Sequence, residues 1–190
     1  MAFSEASSTK AGMRSTLPLR PVILFGILTL TSLAEAAEAP ATFKVDALTF
    51  TRPSAWEWVE VSSPMRKAQL KVVEAKTKNS AEVTFFSGFG GGVQANVDRW
   101  FSQFQEPREK INAKTEESTV AKRKVTYASA QGTYLSGMPG AAKTPLKDQA
   151  LLGAIIQIEQ GDIFIRMTGP AELVKASTAD FKKMVEGALK

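Results

Sequence analysis

The first 36 residues have the order of charged and apolar residues that is typical of a secretory signal peptide. Three basic residues precede an uncharged run of 13 residues, 22–34, and an Ala-Glu-Ala cleavage sequence ends at Ala36. We therefore predict cleavage between Ala36 and Ala37. The remaining residues, 37–190, are then expected to fold as an exported protein, in the periplasm or outside the cell.

The sequence leaves two points about this segment open. The apolar run is shorter than the roughly 20 residues that span a bilayer, which favours a cleaved signal, but an uncleaved signal anchor is the alternative. Residues 1–12 are long for the basic start of a signal, so either Met1 or Met13 is the true start.

The exported part of the chain must be stabilised by its apolar core alone. The protein has no cysteine, so it forms no disulfide, and it has no histidine. These absences exclude Ser-His-Asp and Cys-His catalytic sites and Cys/His zinc sites. Carboxylate, lysine or tyrosine chemistry, an all-oxygen metal site, or no chemistry remains. Because no spacing brings carboxylates together, we predict no catalytic residue, no metal ligand and no cofactor, and we expect the protein not to be an enzyme.

The charge of the chain is mildly basic, with a formal net charge of +5 spread along the sequence. Nucleic-acid binders concentrate their basic residues in a patch, and this chain does not. We expect no nucleic-acid partner and instead a protein or a membrane-associated complex. The oligomeric state stays open.

Hydrophobic patterning predicts eight strands and two helices. Alternating or apolar runs bounded by turn residues indicate the strands, and apolar residues at steps of three and four indicate the helices. The predicted strands are 48–51, 56–61, 70–75, 82–86, 116–120, 124–135, 151–158 and 163–168. One helix runs from Val93 to Phe104, and the other opens at Gly169-Pro170, with Ser177-Thr178 as an interruption or a new cap.

This order of elements favours the α+β class. Few connections resemble βαβ crossovers, so we predict a mostly antiparallel sheet flanked by helices. Residues 37–42 are expected to be a polar lead-in, and 43–190 a single domain. Residues 136–148 contain two Gly and two Pro without periodicity and are expected to form a loop.

Two groups of residues are candidates for a binding surface. Lys143 and Lys147 lie in the predicted loop, and exposed loops often carry function. Gly90 belongs to a glycine run before the first helix, where backbone N–H groups attract anions, and Arg99 lies on that helix. The run fails the G-x-G-x-x-G and P-loop spacings, so a turn with positive φ is the favoured interpretation.

An aromatic pair is a third candidate. Trp56 and Trp58 share one strand face by the two-residue period and either bind a ring-shaped ligand or cover the core, the latter being favoured. We expect Trp100 to be part of the core and Arg99 to pair with a nearby carboxylate or carbonyl. Glu116, Glu117, Asp98 and Asp162 are carboxylates that no spacing places together.

The sequence resembles the PsbP-like family, whose fold is shared with the Ran-binding Mog-type proteins, and in particular uncharacterised exported bacterial members. The similarity lies in the opening stretch 50–56, in the stretch from the glycine run to Trp100, and in the closing hairpin and helix, 151–186. The resemblance implies an antiparallel sheet between helices and a non-enzymatic accessory or binding role. The histidine-containing metal sites of plant members have no counterpart here, since this chain has no histidine.

These observations favour an exported, non-catalytic accessory or binding protein of the cell envelope. The alternative is a small-ligand-binding protein, or a weak carboxylate-based hydrolase, with a cleft beside Trp56, Trp58 and Arg99.

Overall fold

The computed structural model of the protein describes residues 39–61, 63–137 and 142–190. The predicted signal peptide and its cleavage site lie outside the described residues. So do residues 138–141 of the predicted loop.

A seven-stranded antiparallel sheet forms the centre of the fold, with strand order β3-β4-β5-β9-β8-β7-β6. Its strands are β3 (Glu57–Trp58), β4 (Ala68–Val73), β5 (Ser80–Ser87), β6 (Lys114–Val120), β7 (Arg123–Ser136), β8 (Thr144–Ile156) and β9 (Ile163–Pro170). A separate hairpin consists of β1 (Thr42–Val45) and β2 (Leu48–Thr51). The helices are α1 (Gly92–Phe101), α2 (Ala171–Ala176) and α3 (Thr178–Gly187), and a 3₁₀ turn spans Arg108–Lys110.

Each face of the sheet carries its own apolar core. The larger core contains the inward residues of the β1–β2 hairpin together with α2 and α3, with Phe50, Phe85 and Phe181 fully buried. The second core lies under α1, where Val97 and Trp100 pack against Leu151 and Ile155 of β8. The predicted α+β class, a mostly antiparallel sheet flanked by helices, is confirmed. No helix within the described residues is long and apolar enough to cross a membrane.

The first core depends on a run of aromatic contacts. The Phe43 ring centroid lies 5.0 Å from that of Phe85, in an edge-to-face arrangement, and 5.3 Å from that of Trp58. Trp56 is only 2 % exposed. The preference for a core role of the tryptophan pair is therefore confirmed.

Several element predictions were wrong. Residues 42–45 form β1, where no strand was predicted, because the alternation of exposed and buried side chains extends over only four residues. The predicted loop 136–148 is wrong over 144–148, which belong to β8. Those five residues are exposed on both faces, so the strand has no apolar alternation that the sequence would reveal.

The boundaries of several elements also differ from those predicted. The strand predicted at 56–61 shrinks to Glu57–Trp58, and α1 ends at Phe101, before Phe104. The last strand continues through Pro170, so α2 begins at Ala171. The predicted interruption near residue 177 is confirmed, since Ser177 separates α2 from α3.

The contact between Trp100 and Gly153 places α1 on the sheet. A Cβ atom added at Gly153 would lie 2.1 Å from Cζ3 of Trp100, so only glycine leaves room for the indole ring there. Both Trp100 and the surrounding strand are buried, and the ring cannot move without opening the core.

We expect Gly153→Ala to destabilise the protein by about 1–3 kcal/mol, because the added methyl group overlaps the Trp100 ring. Urea denaturation followed by circular dichroism measures the change. Gly90→Ala is the matched control: its added Cβ meets no atom within 4 Å, so a change within about 0.5 kcal/mol is expected. Equal effects of the two substitutions would contradict this packing role of Gly153.

Candidate functional site

A two-stranded extension of the sheet is the most prominent exposed feature of the described chain. Strands β7 and β8 pair with each other up to Ser136 and Thr144, whereas β6 pairs with β7 only as far as Ser129 and β9 pairs with β8 only from Gln149 onward. Residues 132–136 and 144–148 therefore extend past both neighbouring strands. We call them the arm.

The arm turns away from the sheet at a β-bulge. The register between β7 and β8 shifts between Gly132 and Tyr134, and the extra residue on the β8 side, Asp148, has a φ of 55°. Bulges of this kind increase the local twist of a strand pair. The bulge thus changes the direction of the arm where it leaves the sheet.

A short segment after α1 holds one edge of the arm, and we call residues 103–106 the anchor segment. The backbone N–H of Leu135 donates to the Gln103 carbonyl (2.8 Å), and the Gln105 N–H donates to the Thr133 carbonyl (2.8 Å). These bonds continue the sheet by one irregular bridge, between Phe104 and Tyr134. An isolated two-stranded ribbon is marginally stable in water, so this third segment matters for its order.

Side chains strengthen the same attachment. The Oε1 atom of Gln103 accepts hydrogen bonds from the Tyr134 hydroxyl and from Nη1 of Arg166 (2.8 Å). The Tyr134 ring lies edge-on to Phe104 at 5.6 Å between centroids. One amide side chain therefore links the arm, the segment after α1 and the central strand β9.

Pro145 disfavours strand addition at the outer edge of the arm. The Leu135 N–H points toward the anchor segment, so the backbone of its cross-strand partner Pro145 points away from β7, and proline has no N–H to donate there. Lysine and proline at an edge strand are typical protections against unwanted pairing. The edge therefore favours a partner that binds through side chains.

The two faces of the arm differ in chemistry. By the two-residue period, Lys143 and Lys147 share one face, and Leu146 lies on the other face beside its cross-strand neighbour Tyr134. Both lysines are exposed, and Leu146 is 41 % exposed. Beside Leu146 lies a groove of about 350 Å³ that Gln149, Lys71 and Glu82 also line.

The other two predicted site residues are Gly90, which lies just before α1, and Arg99, which lies on α1. Neither belongs to the arm. Gly88, Gly91 and Gly92 have positive φ, which confirms the turn interpretation of the glycine run. The buried Asn96 side chain donates to the carbonyls of Gly90 (3.2 Å) and Gly92 (2.7 Å). The run therefore has a structural role as the entry to α1.

The predicted pairing of Arg99 was wrong. Arg108 forms the salt bridge with Asp98 (2.7 Å), and no hydrogen bond or ion pair involves the Arg99 guanidinium among the described residues. The proposed cleft beside Trp56, Trp58 and Arg99 is also absent from the described chain. The tryptophans belong to the core on one face of the sheet, and α1 with Arg99 covers the other face.

Two of the four acidic residues considered for acid–base chemistry are paired with basic groups. Glu116 binds Nζ of Lys182 (3.3 Å), and Asp98 binds Arg108. Burial raises the pKa of Asp162, which lies in the β8–β9 turn beside the basic residues 122–124. Within the described residues no group of three or more acidic side chains is placed to hold a metal ion.

No family model and no curated protein matches the chain. Among solved structures, the solution structure of cyanobacterial PsbP (CyanoP) from Synechocystis sp. PCC 6803 is similar to it, with a TM-score of 0.46 and 11 % sequence identity. The similarity covers 79 % of this chain and 93 % of that chain. The Mog-type relationship and membership of an exported bacterial group stay predictions.

The carboxylate of Glu106 gives the attachment of the arm a pH dependence. Hydrogen bonds from the Thr133 side chain and from its backbone N–H (2.9 Å to Oε2) lower the pKa of Glu106 below its ordinary value of 4.5. A lowered pKa in the folded state means that the ionised form stabilises the fold. This contribution is present above pH 4.5 and is lost as the pH falls through the folded-state pKa.

We therefore expect the Thr133 amide signal to titrate with a midpoint below pH 4.5, as followed by ¹H–¹⁵N spectra between pH 2 and 7. In Glu106→Gln, which keeps an acceptor oxygen but has no charge to lose, the same signal should not titrate in this range. A midpoint at or above pH 4.5 in the unmodified protein would contradict the hydrogen bonding described for Glu106.

Proposed function

We propose that the protein is a non-catalytic accessory or binding protein of the cell envelope that docks an acidic protein partner with the arm. The proposal includes export through the predicted signal, with the folded domain acting in the periplasm or outside the cell. The arm is the one feature that carries the proposal, since its β8 strand is exposed on both faces while its β7 strand is attached along one edge by backbone and side-chain bonds.

The attachment supports a binding role because it orders the arm while residues 144–148 stay exposed. Exposed segments that a rigid scaffold holds in place are where binding residues concentrate. Order before binding also reduces the entropy that association costs. The arm meets both conditions through Gln103, Phe104 and Glu106.

The chemistry of the arm favours a partner with an acidic surface for the lysine face and an apolar side chain for the opposite face. Lys143 and Lys147 supply two positive charges on one face, and Leu146 supplies an exposed apolar contact on the other. Complementary charge of this kind steers association and sets specificity. The adjacent groove beside Leu146 has room for a side chain of the partner.

The test is site-specific photocrosslinking in cells with a photoreactive residue in place of Thr144, which is exposed on the arm. We expect a protein adduct of discrete mass whose yield falls about tenfold in Lys143→Glu/Lys147→Glu, because like charges then face each other. Lys122→Glu/Lys124→Glu is the matched control. Lys122 and Lys124 lie at the start of β7, whereas the arm is formed by the end of β7, so the adduct should persist.

Two outcomes would contradict the proposal. A missing adduct, or an adduct that is insensitive to both charge reversals, would show that the arm lysines do not dock a partner. An adduct that consists of lipid would replace the protein partner with a membrane surface.

A further inference from the structure

A second groove lies on the opposite face of the sheet from α1, and none of the residues that line it belongs to the arm (132–136 and 144–148). It has a volume of about 370 Å³ and runs between the helices α2 and α3 on one side and the strands β6 and β7 on the other. Sites for small molecules have volumes of about 300–1,000 Å³, so this groove is at the lower end of that range.

The groove exists because the helices cover only part of this face. α2 packs over β8 and β9, and α3 leans on β2, so the edge strand β6 and the adjoining part of β7 extend beyond both helices. The sheet residues that face the gap include Ser129 and Ala150, whose small side chains leave a depression. Leu152 and Val174 make its floor and inner wall apolar.

The rim of the groove is positively charged. Three lysines line it, Lys114 from β6, Lys175 from α2 and Lys182 from α3, against the single carboxylate of Glu116. That carboxylate is engaged by Lys182, whose Nζ also lies 4.8 Å from the ring centroid of Tyr127. Within the described chain Lys114 and Lys175 form no ion pair, so two ammonium groups are available to an incoming anion.

The Tyr127 hydroxyl does not change the net positive charge of the groove. The Tyr127 hydroxyl contacts Oε1 of Glu186 (3.5 Å), and burial together with the charge of Glu186 raises the pKa of Tyr127. The phenol therefore stays neutral at physiological pH and adds no negative charge. Glu186 lies beyond the lining of the groove, on the far side of Tyr127.

We propose that this groove binds a small amphipathic carboxylate, with its apolar body on Ala150, Leu152 and Val174 and its carboxylate between Lys114 and Lys175. An apolar floor with a few convergent polar groups is the usual composition of small-molecule sites. Lysine supplies point charges rather than a planar fork, which suits a single carboxylate group. This binding is independent of the arm and of any protein partner.

The test compares sodium octanoate with 1-octanol, which has the same chain length and no charge. Methyl ¹H–¹³C spectra and calorimetry should show that octanoate shifts the signals of Ala150, Ala171 and Val174 and binds about tenfold more tightly than octanol. Lys114→Gln/Lys175→Gln should weaken octanoate binding about tenfold and leave octanol binding unchanged.

Two controls separate this site from its surroundings. Lys183→Gln removes a charge from α3 outside the groove, and Lys143→Gln/Lys147→Gln removes the arm charges, so neither should change octanoate binding. Ser129→Leu fills the depression and should abolish binding, provided that its methyl spectrum shows the native fold.

The proposal is overturned if octanoate causes no shifts at millimolar concentration, or if its shifts are spread over both cores. It is also overturned if octanol binds as tightly as octanoate, or if Lys183→Gln weakens binding as much as the groove variant does. None of these results would bear on docking by the arm.

Discussion

The described fold depends on one close contact, the indole ring of Trp100 lying directly on the backbone of Gly153. This contact fixes the position of α1 over strands β7, β8 and β9. The residues that immediately follow α1 are Gln103, Phe104 and Glu106, and all three attach the arm. A side chain at residue 153 would therefore disturb the arm as well as the core beneath α1.

The fold class was predictable from the sequence because most strands bury one face or both. Apolar runs such as 151–156 and 163–167 are readable as strands in the middle of a sheet, and the glycine turn before α1 was readable as a turn. Trp56 and Trp100 were also correctly predicted to be buried. These predictions succeeded because burial leaves a periodic pattern in the sequence.

The arm was not predictable for the opposite reason. Residues 144–148 are exposed on both faces and contain a proline and a single large apolar residue, Leu146, and such a pattern indicates a loop. The contacts that hold the arm join residues distant in sequence, such as Gln103 with Tyr134 and Arg166. Lys143 and Lys147 were found as candidates, but Gln103 and Glu106 carried no local signal that marks them as anchors.

Basic side chains outnumber carboxylates at both candidate surfaces. Two of the carboxylates that were considered for catalysis, Asp98 and Glu116, are bound to Arg108 and Lys182, whereas Lys114, Lys175 and the arm lysines form no described ion pair. Both proposals therefore call for an acidic partner or ligand rather than for acid–base chemistry at these surfaces.

The central claim is that the arm is an ordered element, and ¹⁵N relaxation of its backbone amides tests that claim most directly. We predict order parameters of about 0.85 for residues 132–136 and 146–148, equal to those of the central strands. In Gln103→Leu these values should fall for the arm alone, because the Tyr134 and Arg166 donors lose their shared acceptor, and Gln105→Leu should leave them unchanged. Order parameters below about 0.6 in the unmodified protein would contradict the account.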